Sequence, residues 1–205
     1  MSWKKEMWRT DNNEIEYVDL HRLRKNRYRN IPNGFKGNYY FFYAPKLNPY
    51  KDSGDFLLEF KNATKKFVLI NEKTDTHYFT LNLLEKGFWD FQNNCWVGLS
   101  QSRQDILKDY LKTQRNRIDF CSFFEWLCFQ RPFYIGKSID VKQRVYSHLQ
   151  NDSKIYEFLV REEILFKDIT VGFKPIETEC DEKILNVFEE IAQTFIKPPL
   201  VEKPG

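Results

Sequence analysis

The stretch Phe133-Tyr134-Ile135-Gly136-Lys137-Ser138, with Arg144 and His148 just beyond it, decides how this chain is read. Aromatic and β-branched residues that close on a glycine predict a strand ending in a tight turn. A helix follows. Ser138 has the hydroxyl of an N-cap, Asp140 suits the positive end of the helix dipole, and Val141 and Val145 fall on the side a helix would bury. Arg144 and His148 stand four residues apart, so they share one helix face. A phenol, an ammonium, a guanidinium and an imidazole would meet at one strand–helix junction, which is chemistry suited to holding a phosphate.

Tyr134-Ile135-Gly136, with Arg144 ten positions on and His148 four later, resembles the second motif of the GIY-YIG nuclease superfamily. Tyr-Ile-Gly alone is a weak signal, and the addition of Lys137-Ser138, Arg144 and His148 in register makes it a strong one. The resemblance implies a glutamate on a later helix, binding a metal, with a proline about nine residues on and an asparagine after it. Asp181 to Ile196 reads as an amphipathic helix with Ile184, Leu185, Phe188, Ile191, Ala192 and Phe195 on its apolar stripe, Thr178 and Asp181 at its start, and Pro198-Pro199 as its stop. Glu189 lies nine residues before Pro198, with Glu190 as a competitor displaced by one, and Val201 stands where the asparagine would be.

Between these motifs, Lys154 to Leu165 has helical spacing and Asp168 to Ile176 alternates as a strand does. The expected fold class is α+β. The resemblance implies a small three-stranded mixed or antiparallel sheet flanked by helices over residues 118–205. An N-terminal α+β region of unknown fold precedes it over residues 1–117, a candidate for DNA binding and specificity. Short strands are expected there at Asp55–Phe60, Lys66–Asn71 and His77–Leu83.

The first motif of that family, normally Gly-Ile-Tyr, has two candidates. Phe123 lies eleven residues before Tyr134 in the run Phe120–Phe129, which could pair as a hairpin across Gln130-Arg131-Pro132. Gly37-Asn38-Tyr39 keeps a glycine and a tyrosine but requires about eighty inserted residues between the strands. Spacing favours Phe123, on which reading the phenolic hydroxyl is lost and Tyr39 belongs to a core.

The net charge of +3 is modest but unevenly spread. From His21 to Lys36 there are Arg22, Arg24, Lys25, Arg27, Arg29 and Lys36 without one acid, whereas Asn151–Glu190 is acid-rich. Arg103, Lys108, Lys112, Arg115 and Arg117 add a second basic stretch. Such asymmetry suits a phosphate backbone as partner. No run is long enough to span a membrane, the first residues lack the apolar stretch of a signal peptide, and Cys95, Cys121, Cys128 and Cys180 have no metal-binding spacing. A cytoplasmic location in a bacterial or phage-encoded protein is expected, with free thiols.

The resemblance implies a DNA endonuclease in which Glu189 holds one Mg²⁺ or Mn²⁺, Arg144 and Lys137 contact the scissile phosphate, and Tyr134 accepts the proton of the attacking water with help from His148. Arg22, Arg24, Arg27 and Arg29 would bind the DNA backbone. A homodimer would allow both strands to be cut. The competing expectation is a GIY-YIG-like module with weakened catalysis that binds nucleic acid or protein, motivated by Phe123 and Val201.

Overall fold

In the computed structural model, which describes residues 15–72, 89–90, 95–96, 101–175, 182–196 and 198–200, the chain forms two compact units. One comprises residues 1–42 and 132–205, and the other residues 43–131. The expected division at residue 117 is therefore corrected. Residues 1–42 belong to the same unit as the Tyr134 region, and the second unit is an insertion within it.

The first unit is built on a four-stranded sheet. Its strands are β1 (Glu16–Asp19), β2 (Gly37–Tyr43), β5 (Tyr134–Ser138) and β6 (Ile169–Pro175), in the order β1-β6-β2-β5. The sheet thus exceeds the expected three strands by an added edge, β1, which runs antiparallel to β6. Strand β2 is Gly-Asn-Tyr-Tyr-Phe-Phe-Tyr, a run whose bulky side chains favour a pleated, buried surface on both faces. It pairs antiparallel with β5, setting Tyr39 opposite Gly136 and Phe41 opposite Tyr134. Directly opposed residues lie on the same face, so Tyr39, Phe41, Tyr134 and Gly136 share one side.

Helices follow the expected order after β5. α5 (Val141–Ser147) buries Val141 and Val145. Asp140 is its N-cap, accepting from the Gln143 amide at 3.0 Å, while the Ser138 hydroxyl accepts from the Asp140 amide at 3.0 Å and tightens the turn before it. Asp140 rather than Ser138 is thus the N-cap, and it stands at the positive end of the helix dipole as expected. α6 (Lys154–Arg161) starts at Ser153, whose hydroxyl accepts from the Tyr156 amide, and buries Ile155, Phe158 and Leu159. The Phe158 ring stacks on Phe133 at 5.5 Å between centroids. A 3₁₀ turn (Phe166–Asp168) leads into β6, and α7 (Glu182–Ile196) packs against β5. Of the apolar stripe expected on α7, Leu185 is buried, while Ile184, Phe188 and Ile191 are partly exposed. Between β1 and β2 sits α1 (Leu20–Lys25), which buries Leu20 and Leu23.

The second unit is mainly helical where it is described. α2 (Ser53–Glu72) replaces the strands expected at Asp55–Phe60 and Lys66–Asn71. The Asp52 carboxylate accepts from the amides of Gly54 and Asp55, nucleating the helix. Phe56, Phe60, Ala63 and Thr64 are buried at i, i+4, i+7 and i+8, a helical period hidden beneath apparent alternation. The strand expected at His77–Leu83 lies outside the described residues. Trp89–Asp90 (β3) and Cys95–Trp96 (β4) form a short antiparallel ladder. α3 (Gln101–Tyr110) is followed by α4 (Gln114–Cys128), capped by Thr113. Phe60 packs edge-on against Phe120 and Phe124, one helical turn apart on α4.

Candidate active site

The expectation that Phe123 partners Tyr134 is overturned. Phe123 lies in α4, not in a strand, and is 53% exposed. The strand beside β5 carries Tyr39, so the phenol missing from the Phe123 reading is present in the fold.

Tyr39, Tyr134 and His148 form one cluster. The Tyr39 hydroxyl lies 2.6 Å from Nε2 of His148, and the Tyr134 hydroxyl lies 3.4 Å from the same nitrogen. All three side chains are buried, with relative exposures of 0, 2 and 2%. Tyr39 and Tyr134 come from opposed strands, and His148 comes from the C-cap of α5. Gly136 admits the arrangement. A Cβ there would collide with the Tyr39 hydroxyl and sit 2.5 Å from the ring carbon that bears it. Glycine is required at this place by close approach, beyond its use as a turn residue.

Burial, reinforced by the nearby Arg144 guanidinium, pushes the His148 pKa down to about 3. His148 is therefore neutral at pH 7. With the lone pair on Nε2 it accepts from the Tyr39 hydroxyl; in the other tautomer it donates to it. Arg144 stands in the last turn of α5 and is exposed, near enough for its charge to act on His148.

Glu189 approaches the same strand from α7. The Gln193 side-chain amide, one turn on, donates both to Glu189 Oε1 at 3.2 Å and to the Ile135 carbonyl at 3.3 Å. This bridge ties the carboxylate to the backbone of the residue after Tyr134. Glu189 is half-buried whereas Glu190 is exposed. Past the helix, the Leu200 amide donates to the Phe133 carbonyl and Leu200 bridges Tyr134 in parallel, so the chain after α7 closes the outer edge of β5. Val201, Thr178 and Asp181 lie outside the described residues.

Lys137 does not join this face. Strand alternation turns it away from the face of Tyr134 and Gly136, and its ammonium lies 3.4 Å from the Glu182 carboxylate at the start of α7. The structure brings together Tyr134, His148 and the nearby charge of Arg144, adds Tyr39, and sends Lys137 elsewhere. Gln193 was not foreseen. Its spacing of four from Glu189 was the available signal.

Arg22, Arg24, Arg27 and Arg29 are all exposed on the first unit, where α1 passes into the turn that follows it. Their basic counterparts in the second unit differ. Arg117 is buried and donates to the carbonyls of Pro49, Leu111 and Lys112, a structural role. Lys108 and Lys112 pair with Asp105 and Asp109. Cys121 and Cys128 are free thiols, and burial pushes both pKa values up.

Among the described residues, no group of three or more His, Cys, Asp or Glu is placed to hold a metal ion, and no helix is long and apolar enough to cross a membrane. Set against family models, curated proteins and solved structures, the chain finds no match.

Proposed function

We propose that this chain is a GIY-YIG-like DNA endonuclease that hydrolyses phosphodiester bonds with Mg²⁺ or Mn²⁺. The observation that carries this reading is the buried Tyr39–His148–Tyr134 cluster, assembled from two opposed strands and a helix end. A half-buried Glu189 fastened to the edge of the same strand supports it. One carboxylate fits a hard cation that keeps most of its water shell, and does not fit zinc, which takes several nitrogen or sulfur ligands. Bound at Glu189, such an ion would supply charge neutralisation at the phosphate and at the leaving 3′ oxygen.

The remaining chemistry belongs to the side chains. Arg144 would hold the scissile phosphate through its planar fork. With His148 neutral and accepting from Tyr39, the Tyr39 oxygen keeps lone pairs for the attacking water. That water gives its proton to the Tyr39 oxygen as the phenolic proton passes to Nε2 of His148. Burial is the larger cause of the low His148 pKa and the Arg144 charge the smaller, and a bound phosphate would offset the smaller one. This account moves the first proton-accepting role from Tyr134 to Tyr39, whose contact with His148 is shorter. With one such site per chain, cutting both strands would take two copies.

A second reading has its own support. The near-complete burial of Tyr39, Tyr134 and His148 also suits a packing cluster inside a module that binds nucleic acid or protein without cutting it. Supercoiled plasmid separates the two. The endonuclease nicks or linearises it with Mg²⁺ or Mn²⁺ and not with chelator, and Glu189→Ala abolishes cleavage while sparing binding. Cleavage undiminished in Glu189→Ala, after metal stripping and replenishment, rejects the site. Binding without cleavage under any divalent metal selects the second reading.

A further inference from the structure

The first unit carries a cleft of about 900 Å³ beside α5. That volume is within the range of sites that take small ligands, about 300–1,000 Å³. Lys142 and Tyr146 line it from α5, one turn apart. Arg144 lies two residues from each, and successive residues turn by about 100°, so it faces nearly the opposite way. A strand held at Arg144 reaches the cleft by passing around one helix, a width of about 10–12 Å.

The opposite wall comes from the turn after α1. Arg27 and Tyr28 both adopt left-handed backbone conformations, with φ of 51° and 60°. Consecutive non-glycine residues in that region are uncommon, and strain of this kind gathers at functional sites. Both side chains line the cleft. Tyr28 meets Tyr146 edge to face at 5.5 Å, a geometry in which one ring keeps both its faces clear of the other. Tyr146 remains 45% exposed. Arg24 sits over the Phe166 ring at 4.3 Å, which holds a cation along the floor, and Lys142 donates to Asn33 Oδ1 at 2.7 Å. The acid in the cleft, Asp140, is engaged as the N-cap of α5.

We infer that this cleft binds an unpaired nucleotide of a DNA strand, its base stacked on Tyr146 and its phosphate met by Arg27 and Lys142. A duplex hides its base faces, whereas a single strand offers them to aromatic rings set among cations. The inference deepens the endonuclease reading, on which it rests for its substrate class. It makes the preferred substrate a junction, in which an unpaired stretch adjoins the duplex that is cut.

Binding is measured with full-length protein in chelator, where no cleavage interferes, using a labelled short oligo-thymidine and a labelled duplex. Tyr146→Ala weakens oligo-thymidine binding about tenfold and leaves duplex binding within about twofold, while Tyr146→Phe keeps both. Arg27→Gln and Lys142→Gln each lower the slope of log affinity against log salt by about 0.7 on the single strand. Unchanged single-strand affinity in Tyr146→Ala, an equal loss on both probes, or no binding of oligo-thymidine overturns the inference. The endonuclease reading is judged apart, by plasmid cleavage. A protein that cuts plasmid but fails here loses only the cleft, and one that behaves as expected here but never cuts keeps it.

Discussion

Two aromatic runs of this chain, Tyr39 to Tyr43 and Phe120 to Phe129, compete in sequence for the place beside Tyr134, and the fold treats them oppositely. The first is an unbroken series of bulky residues that enters at Gly37. It becomes a strand buried on both faces. The second spaces Phe120, Phe124 and Cys128 four apart behind a Thr113 cap, and becomes a helix whose remaining aromatics, Phe123 and Trp126, are exposed. Aromatic content is equal to the eye, and periodicity is what separates them. Closeness in sequence to Tyr134 favoured the wrong run. Because the second unit is inserted after β2, the two strands that make the site are adjacent in space and nearly a hundred residues apart in the chain.

The largest effect expected from breaking this contrast comes from Gly136→Ala. The added methyl would fall on the Tyr39 hydroxyl, so β2 and β5 must part or the ring must leave His148. Thermal or denaturant unfolding should show a loss of about 1–3 kcal/mol, with cleavage lost as well. A neutral result would mean that Tyr39 has room the structure does not give it.

Next comes pH. The His148 pKa is lowered to about 3 when folded, against an ordinary value near 6.5. Between these values the unfolded chain binds the extra proton, so stability rises with pH across that window and levels off above it. The His148 contribution to the slope approaches about 1.4 kcal/mol per pH unit. His148→Gln should flatten that part of the curve. A slope unaltered by the substitution would contradict the buried, neutral histidine.

A smaller effect sharpens the comparison between the two units' basic surfaces. Replacing Arg22, Arg24, Arg27 and Arg29 together by Gln should lower the duplex salt slope by about 0.9 for each phosphate that is no longer neutralised. The equivalent change at Lys108 and Lys112, already paired with Asp105 and Asp109, should alter it less. The reverse ranking would move the DNA surface to the second unit. Smallest of all, Phe123→Leu should change stability by no more than about 0.5 kcal/mol and leave cleavage intact, as suits an exposed helix residue.

The C-terminal order of elements was legible because each carries its own local signal: the Tyr-Ile-Gly turn, the Val141 and Val145 spacing, the helical spacing of Ile155, Phe158 and Leu159, and the alternation through Ile169, Val171 and Phe173. Glu189 was chosen from the Pro198 stop, and the structure sets it half-buried beside Gln193. The place of Tyr39 beside β5 was not legible, since strand pairing across an insertion leaves no local mark. Nor was the turning away of Lys137, which follows from strand alternation and a carboxylate at the start of α7. In α2 the helical period lay under residues that also alternate, and the Asp52 cap was the signal that distinguished them.

The central claim is that Tyr39, drawn from β2 onto His148, takes part in the chemistry. Its direct test is the rate of metal-dependent plasmid nicking by Tyr39→Phe, in protein shown by melting and DNA binding to be folded. The substitution removes one hydroxyl, costs about 1 kcal/mol of stability through the missing hydrogen bond, and should slow nicking about a hundredfold or more. A Tyr39→Phe protein that nicks at nearly the wild-type rate would contradict the account and return the Tyr39–His148 pair to ordinary packing.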